Sequence, residues 1–447
     1  MMNTQEIIHL DQTYCWHPFT QAKTAEPPLV IVKGDKEFLY GADHTAYFDA
    51  ASSWWVNVHG HAHPEIVQAI TQQAQHLEHV MFAGITHQPA AELAACLIAK
   101  APKTMRRVFY SDNGSTAVEV ALKMAFQYWY NQTKHATRKK IIAFEGAYHG
   151  DTFGAMATGR TSGFYDPFKP WLFEVEFIPF GTNPESEQHS LHALEVLLAQ
   201  HSEQIAAFIA EPLVQGASGM RMCRPEYLAQ ITQHCAAHNI LVIFDEVMTG
   251  FGRTGTLFAA EQIVQHQGHV DLMCLSKGLT GGFLPMGATL TSQAVYDAFF
   301  DDQLHKALLH GHSYTANPLG CAAALASLKL FDQPETWQGI HTLANTHHKH
   351  LLELAQHPAI ENPRQCGTIA AFEIKSSSHA YGSATSQWLR SALLSQGIIA
   401  RPLGRTMYWL PPYCTQESTL QNAYACLLNI LEQCASVPSH RSGNALF

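Results

Sequence analysis

The sequence lacks the features that mark several large classes of protein. Only 14% of its 447 residues are charged and its formal net charge is -10, so we do not expect a nucleic acid or an anionic membrane, which attract basic surfaces, as its main partner. It has no run of 18 or more apolar residues, and MMNTQEIIHLDQTY at its start lacks a basic stretch followed by an apolar core. We therefore expect neither a membrane span nor a signal peptide.

A metal-binding cysteine motif is also absent. No two of the ten cysteines form a C-x-x-C pair, which argues against a zinc ribbon or a thioredoxin-like site. Cys96 and Cys274 lie in apolar runs, where a reduced thiol packs as a small hydrophobe, and this usage favours a cytoplasmic protein. His59, His61 and His63 have no carboxylate or cysteine frame around them, so we interpret them as polar loop residues and expect no metal.

Short apolar segments alternate with helical patterns through the middle of the chain. IAAFIAEPL, ILVIFDEV and DLMCLSKGL are apolar almost throughout, and PEYLAQITQHCAAHN between the first two has helical spacing. Strands that are apolar on both faces indicate an α/β fold with a mostly parallel sheet covered by helices. We predict an irregular N-terminal arm (1–33) within a segment, 1–60, that also completes the small domain. A large domain follows at 61–325 and a small α+β domain at 326–447, whose tail, SHRSGNALF, is expected to fray.

Two charged residues close two of the apolar strands. Asp245 follows ILVIF and Lys277 follows DLMCLS, and ligands bind at the carboxyl ends of parallel strands. A partly desolvated lysine there is more easily neutral and can form a Schiff base with pyridoxal phosphate, while an acid opposite holds the pyridine nitrogen protonated. The alternative is an ordinary pair of strand-end charges.

Two further segments are compatible with the same cofactor. Gly114 and Ser115 end a strand and open a long helix, whose N-terminal N–H groups favour a phosphate. Tyr148 in EGAYHGD follows another apolar strand and is placed to stack on a pyridine ring. An ordinary helix cap and a surface turn are the alternatives.

Several motifs taken in order resemble the class III aminotransferases, which have the fold-type I, aspartate-aminotransferase-like architecture. They are FYSDNGSTAVEVALKMA, EGAYHGD, FDEVMTGFGRTG, LSKGLTGG and HGHSYTANPLGCAAA, and the resemblance spans roughly residues 15–430. It implies that Lys277 binds pyridoxal phosphate covalently and moves the substrate proton, and that Asp245 pairs with the pyridine nitrogen. It also implies that Tyr148 stacks near the ring and that Glu211 lies close to the cofactor.

The resemblance also implies a phosphate site shared between two subunits. Gly114 and Ser115 bind the phosphate from one chain, while Ser313, with His312 beside it, reaches in from the other. An obligate homodimer is therefore expected. His312 and Ser313 stand where some relatives carry Pro-Thr.

Other segments resemble the family members that act in biotin synthesis, including WHPFTQ, SSWWVNVHGHAHPEI and ARPLG. This implies transfer of an amino group from S-adenosylmethionine to 8-amino-7-oxononanoate. Lysine as the donor, or the chemistry of another omega-amino-acid transaminase, is the alternative. The implied substrate-binding residues are Phe19, Trp54, Tyr148, Lys277, Gly311 and Arg401, with Arg401 taking the acceptor carboxylate. Phe19 stands where some relatives have tyrosine; core packing of one tryptophan and a surface salt bridge for Arg401 are the ordinary alternatives.

Overall fold

The computed structural model describes residues 2–133, 138–159, 163–375 and 383–435, so the tail SHRSGNALF lies outside the described residues. The α-helices in these ranges are α1 (Thr4–Tyr14), α2 (Ser52–Trp55), α3 (Pro64–Ala74), α4 (Gln88–Lys100), α5 (Gly114–Thr133), α6 (Phe153–Ala157), α7 (Pro184–His201), α8 (Pro225–Ala237), α9 (Ala259–Gln265), α10 (Gln293–Asp297), α11 (Pro318–Leu330), α12 (Pro334–Leu354), α13 (Ala384–Ser395) and α14 (Glu417–Ala435).

The β-strands are β1 (Ile31–Asp35), β2 (Phe38–Gly41), β3 (Ala46–Asp49), β4 (Met105–Ser111), β5 (Lys140–Phe144), β6 (Val175–Ile178), β7 (Ile205–Ala210), β8 (Val214–Gln215), β9 (Arg221–Met222), β10 (Leu241–Asp245), β11 (Leu272–Leu275), β12 (Gly287–Ser292), β13 (Ile360–Cys366), β14 (Ile369–Ile374), β15 (Ile398–Ile399) and β16 (Thr406–Trp409). Short 3-10 helices cover Gly163–Trp171, Ser202–Gln204, Lys277–Thr280 and Leu304–Lys306.

A seven-stranded sheet in the order β4-β12-β11-β10-β7-β5-β6 forms the centre of the molecule. Its pairings are parallel except those of β12, which is antiparallel to both of its neighbours. Ile243 packs into the apolar cluster on one face of the sheet, and Val242 and Phe244 pack into the cluster on the other. Fully burying a side chain of this size stabilises the fold by about 1.5–3 kcal/mol. The predicted α/β fold with a mostly parallel sheet is confirmed.

Three smaller sheets surround the central one, in the orders β1-β2-β3-β15, β13-β14-β16 and β8-β9. In the first, β15 near the C-terminus pairs in parallel with β3 near the N-terminus, with Ile398 opposite Phe48. Because Trp54 soon follows β3 and Arg401 soon follows β15, this pairing brings two distant segments to one place. The proposed division at residues 60 and 325 stays a prediction.

The structure corrects two local expectations. The arm at 1–33 is not irregular throughout, because α1 begins at a capping box in which the Asn3 side chain and the Glu6 side chain each accept the other's backbone N–H. Lys277 lies beyond β11 rather than at its end, in the first position of a 3-10 helix. Among the described residues, no helix is both long and apolar enough to cross a membrane.

Candidate active site

The carboxyl ends of β10 and β11 lie side by side and form the floor of a cavity. Asp245 is the last residue of β10 and is paired in register with Cys274 of β11. Lys277 lies three residues after Cys274, just beyond the end of β11, and is therefore close to Asp245. The cavity has a volume of about 710 Å³. Its lining includes Trp55, Asn113, Gly114, Ser115, Tyr148, His149, Gly150, Thr152, Glu211, Asp245, Val247, Met248, Lys277 and the segment 282–286.

Lys277 has an amine that is easily neutralised. Removal from water lowers its pKa to about 8, although the carboxylates of Asp245 and Glu211 oppose this shift. The Nζ atom lies 4.7 Å from the centre of the Trp55 ring, which forms one wall beside it. The backbone of Lys277 is left-handed, with φ of 44°, a conformation that proteins retain mainly at functional sites. The amine of Lys277 is therefore more easily deprotonated than an exposed lysine and lies against the Trp55 ring.

Asp245 is a buried carboxylate oriented from two sides. Its Oδ2 lies 2.7 Å from Nδ1 of His149, which is also buried, and its Oδ1 accepts the backbone N–H of Val247 at 3.0 Å. The other ring nitrogen of His149, Nε2, is buried without a hydrogen-bond partner in the structure. A carboxylate held in this way suits a cationic nitrogen of a planar heterocycle lying in the cavity.

Glu211 fixes two loops that border the cavity. Its carboxyl oxygens accept the backbone N–H groups of Tyr148 at 3.0 Å and Gly216 at 2.9 Å. Burial, together with the charge of Asp245, raises the pKa of Glu211 to about 7, against the opposing effects of His149 and the two backbone hydrogen bonds. The Tyr148 hydroxyl donates to Asp151 at 3.0 Å, and burial raises its pKa. The predicted cofactor residues Tyr148 and Glu211 therefore lie together.

Gly114 and Ser115 stand where the N-terminus of the 20-residue α5 meets the cavity. A Cβ atom on Gly114 would come within 2.7 Å of Val247 Cγ1, so any larger residue here would have to displace the Val247 side chain. The Ser115 hydroxyl accepts the N–H of Thr152 at 3.1 Å, which joins α5 to the loop after β5. A helix N-terminus lined by backbone N–H groups and hydroxyls suits a phosphate.

A second cavity, of about 1280 Å³, adjoins the first and shares Lys277, Tyr148 and Trp55 with it. Phe19 and Trp54 line it, and their rings make an edge contact at 5.5 Å. The guanidinium of Arg401 lies over the Trp54 ring at 4.0 Å. Phe19 and Trp54 therefore line the same cavity as Lys277, and Arg401 contacts Trp54 without lining either cavity itself. The neighbouring Trp55 is buried and forms a wall of both cavities.

The two tryptophans are carried by a strained turn. Ser52, Ser53, Trp54 and Trp55 all have positive φ, at 49°, 47°, 69° and 73°. Left-handed backbone costs roughly 1–2 kcal/mol for each residue that is not glycine, so the surroundings must hold this turn in place. The buried guanidinium of Arg253 contributes by donating to the carbonyl of Asn57 at 3.1 Å.

Gly311, His312 and Ser313 do not line either cavity of their own chain. They lie between the 3-10 helix at Leu304–Lys306 and α11, and His312 Nδ1 is 3.3 Å from a carboxylate oxygen of Asp112. His312 therefore lies near the segment that leads into Gly114, but none of these three predicted residues lines a cavity of its own subunit.

Sequence reasoning gave too little weight to two residues. The sequence does not predict the contact between His149 and Asp245. Arg253, which fixes the tryptophan turn, was not singled out. Its signal is a charged residue in GFGRTG, a glycine-rich segment that is otherwise uncharged. Where the structure describes the chain, no group of three or more metal-ligating side chains is assembled.

The chain matches the family model described as aminotransferase class-III over residues 19–431. A relative from Synechococcus elongatus named adenosylmethionine-8-amino-7-oxononanoate aminotransferase is 49% identical over 428 residues, covering 94% of this chain and 99% of the relative.

Solved structures agree with this match. The crystal structure of the enzyme of the same name from Methanocaldococcus jannaschii has a TM-score of 0.91 at 33% identity, covering 96% of this chain and 99% of the other. An amine transaminase from an uncultivated Pseudomonas species, solved in its PLP-bound form, has a TM-score of 0.86 at 29% identity, covering 94% and 99%.

Proposed function

Because this chain belongs to the class III aminotransferases, which depend on pyridoxal phosphate, we propose that it transfers an amino group from S-adenosylmethionine to 8-amino-7-oxononanoate. The product is 7,8-diaminononanoate, an intermediate of biotin synthesis. The observation that carries the proposal is the stacking of Arg401 on Trp54, a residue that lines the same cavity as Lys277. A long apolar acid needs aromatic walls and one guanidinium for its carboxylate, and the S. elongatus relative bears the name of this activity.

The residues of the first cavity fit the cofactor. Lys277 would hold the aldehyde, Asp245 the pyridine nitrogen, and Gly114 with Ser115 the phosphate, while Tyr148 would lie against the ring. The fit is supported by the buried carboxylate that His149 orients and by the N-terminus of α5 at Gly114 and Ser115, which lines the cavity. When bound, pyridoxal phosphate delocalises the negative charge that forms on the substrate carbon losing its proton.

Lys277 is the group that moves the proton. With a pKa lowered to about 8, its Nζ can accept a proton from the substrate carbon and return it elsewhere near physiological pH. The Trp55 ring covers one side of this atom. Arg401 would hold the carboxylate of the acceptor, and Trp54 with Phe19 would enclose its chain. Both substrates use this one site in turn, so the reaction follows a ping-pong order.

The test is a donor panel with purified holoenzyme and 8-amino-7-oxononanoate as the acceptor. Product formation with S-adenosylmethionine, followed by mass spectrometry, is the expected result. Product with lysine alone would identify a lysine-dependent enzyme. Failure with 8-amino-7-oxononanoate, combined with turnover of other omega-amino acids, would refute the proposed acceptor.

The enzyme is proposed to act as a homodimer in which Ser313 and His312 of each chain reach the phosphate in the other. Their absence from the lining of the cavities in their own chain supports this, as do the exposed apolar side chains of nearby Leu309 and Tyr314. A cytoplasmic location is proposed as well, supported by the nine described cysteines, all of which are free thiols.

Mixed dimers test the shared site. When Lys277→Ala and Ser313→Asp chains are refolded together, one of the two sites in each mixed dimer receives wild-type Lys277 and wild-type Ser313 if the sites are shared. Activity should then return to about half per mixed dimer, whereas each variant alone stays inactive. No recovery in dimers verified by mass would refute sharing.

A further inference from the structure

The carboxylate of Asp49 anchors the strained tryptophan turn at its second residue. Its Oδ1 accepts the backbone N–H of Ser53 at 3.0 Å, and its Oδ2 accepts the Ser53 hydroxyl at 2.7 Å. Asp49 is the last residue of β3 and is fully buried. A buried carboxylate needs donors around it, and Ser53 supplies two of them from a left-handed position.

The third donor is His61, and its ring proton can be assigned from its neighbours. The backbone N–H of Gly60 donates to Asn57 Oδ1 at 2.7 Å, which leaves the amide nitrogen of Asn57 facing His61 Nδ1 at 2.9 Å. An amide nitrogen only donates, so Nδ1 accepts. The proton of the neutral ring is therefore on Nε2, which donates to Asp49 Oδ2 at 2.9 Å.

His61 is itself held firmly in place. Its backbone N–H and carbonyl bond to the carbonyl and N–H of Lys36, at 2.7 and 3.1 Å. A Cβ atom on Gly34 would come within 2.8 Å of the His61 Cβ, so the side chain packs directly against that strand. The hydrogen bonds from Lys36 to His61 and from His61 to Asp49 thus connect the turn to the four-stranded sheet.

We propose that Asp49 and His61 are positioning residues that hold the left-handed turn in the conformation that presents Trp54 to the acceptor and Trp55 to Lys277. Neither residue lines the cavities, so they act through the turn. The kinetic part of the proposal rests on the proposed function, whereas the structural part does not.

Four variants of the full-length holoenzyme test this. Asp49→Asn removes the negative charge that accepts the hydrogen bonds, and His61→Leu removes the N–H group that donates to Asp49. His61→Gln keeps a hydrogen-bond donor at the position of Nε2. His63→Gln is the matched control, since it changes a histidine of the same loop whose ring packs near His59. The first readout is hydrogen exchange of the peptide covering 52–57, where the N–H groups of Trp55, Val56 and Asn57 bond back to residues 51 and 52. The peptide covering β10 serves as the internal reference.

Exchange of the 52–57 peptide should rise at least about tenfold in Asp49→Asn and His61→Leu, as expected when a charge-assisted hydrogen bond is lost, with β10 unchanged. His61→Gln should restore protection to within about threefold of the wild type, and His63→Gln should have no effect. Unchanged protection at 52–57 in the first two variants, or an equal rise in β10, would overturn the proposal. If Asp49→Asn does not fold, His61→Leu alone decides.

The second readout is steady-state kinetics with 8-amino-7-oxononanoate. KM should rise at least about tenfold in His61→Leu while kcat falls less than about threefold, because a displaced Trp54 weakens acceptor binding more than it affects the proton transfer. A fall in kcat at constant KM would contradict the assigned role. A wild-type enzyme inactive on this acceptor would refute the proposed function, and the exchange data would still decide the inference.

Discussion

The lowered pKa of Lys277 predicts how fast the apoenzyme captures pyridoxal phosphate at each pH. Only the neutral amine attacks the aldehyde. With a pKa of about 8, about a tenth of the amine is neutral at pH 7, against about three in ten thousand at the ordinary 10.5, which is an advantage of about 300-fold. The capture rate, followed by stopped-flow absorbance, should rise with pH and level off above a midpoint near 8.

Replacing the neighbouring carboxylate tests the cause of this midpoint. The charge of Asp245 raises the pKa of Lys277 against the dominant effect of desolvation, so Asp245→Asn should move the midpoint to a lower pH. Asp43→Asn, in an exposed turn, is the control and should leave it unchanged. A midpoint near 10 in the wild type, or an upward shift in Asp245→Asn, would refute the reasoning.

Three further predictions concern the site of the acceptor carboxylate, the packing of Gly150 against Ser115 in the proposed phosphate site, and stability in acid. Arg401→Met should raise KM for 8-amino-7-oxononanoate about 100-fold, from a loss of about 3 kcal/mol in charge-assisted hydrogen bonds. Arg390→Met, at an exposed position of α13, is the control. Gly150→Ala should lower the denaturant midpoint and the affinity for pyridoxal phosphate, because φ is 123° and the new Cβ would lie 2.4 Å from Ser115 Oγ. Gly84→Ala, also at positive φ but in open space, should leave that affinity intact. Burial lowers the pKa of His347 to about 3, so the unfolded chain binds more protons below 6.5. His347 therefore costs stability as the pH falls from 6.5 towards 3, by at most about 1.4 kcal/mol per pH unit, and denaturation of His347→Gln should depend less on pH in that window.

The parts of the site that follow strand patterns could be predicted from the sequence. Asp245 and Lys277 each follow an apolar run, and the carboxyl ends of parallel strands meet at one edge of a sheet. The start of the helix at Gly114 could be predicted in the same way, because an apolar strand precedes it and a helical pattern follows it. These signals are local, since each needs only one strand and the residues after it.

The rest depends on contacts between distant segments. His149 reaches Asp245 across 96 residues, and Arg401 reaches Trp54 only because β15 pairs in parallel with β3. No propensity predicts that Ser53 and Trp54 adopt left-handed backbone, because the fold around them imposes it. Gly311, His312 and Ser313 raise a different difficulty, since their predicted partners belong to another subunit.

The central claim is that the amine of Lys277 binds pyridoxal phosphate covalently while Asp245 faces the pyridine nitrogen. Reduction of the coloured holoenzyme with borohydride, followed by peptide mass spectrometry, should place the pyridoxyl group on Lys277 alone, and Lys277→Ala should yield no labelled peptide. A label on another lysine, or a wild-type protein that stays colourless and unlabelled after incubation with pyridoxal phosphate, would contradict the claim.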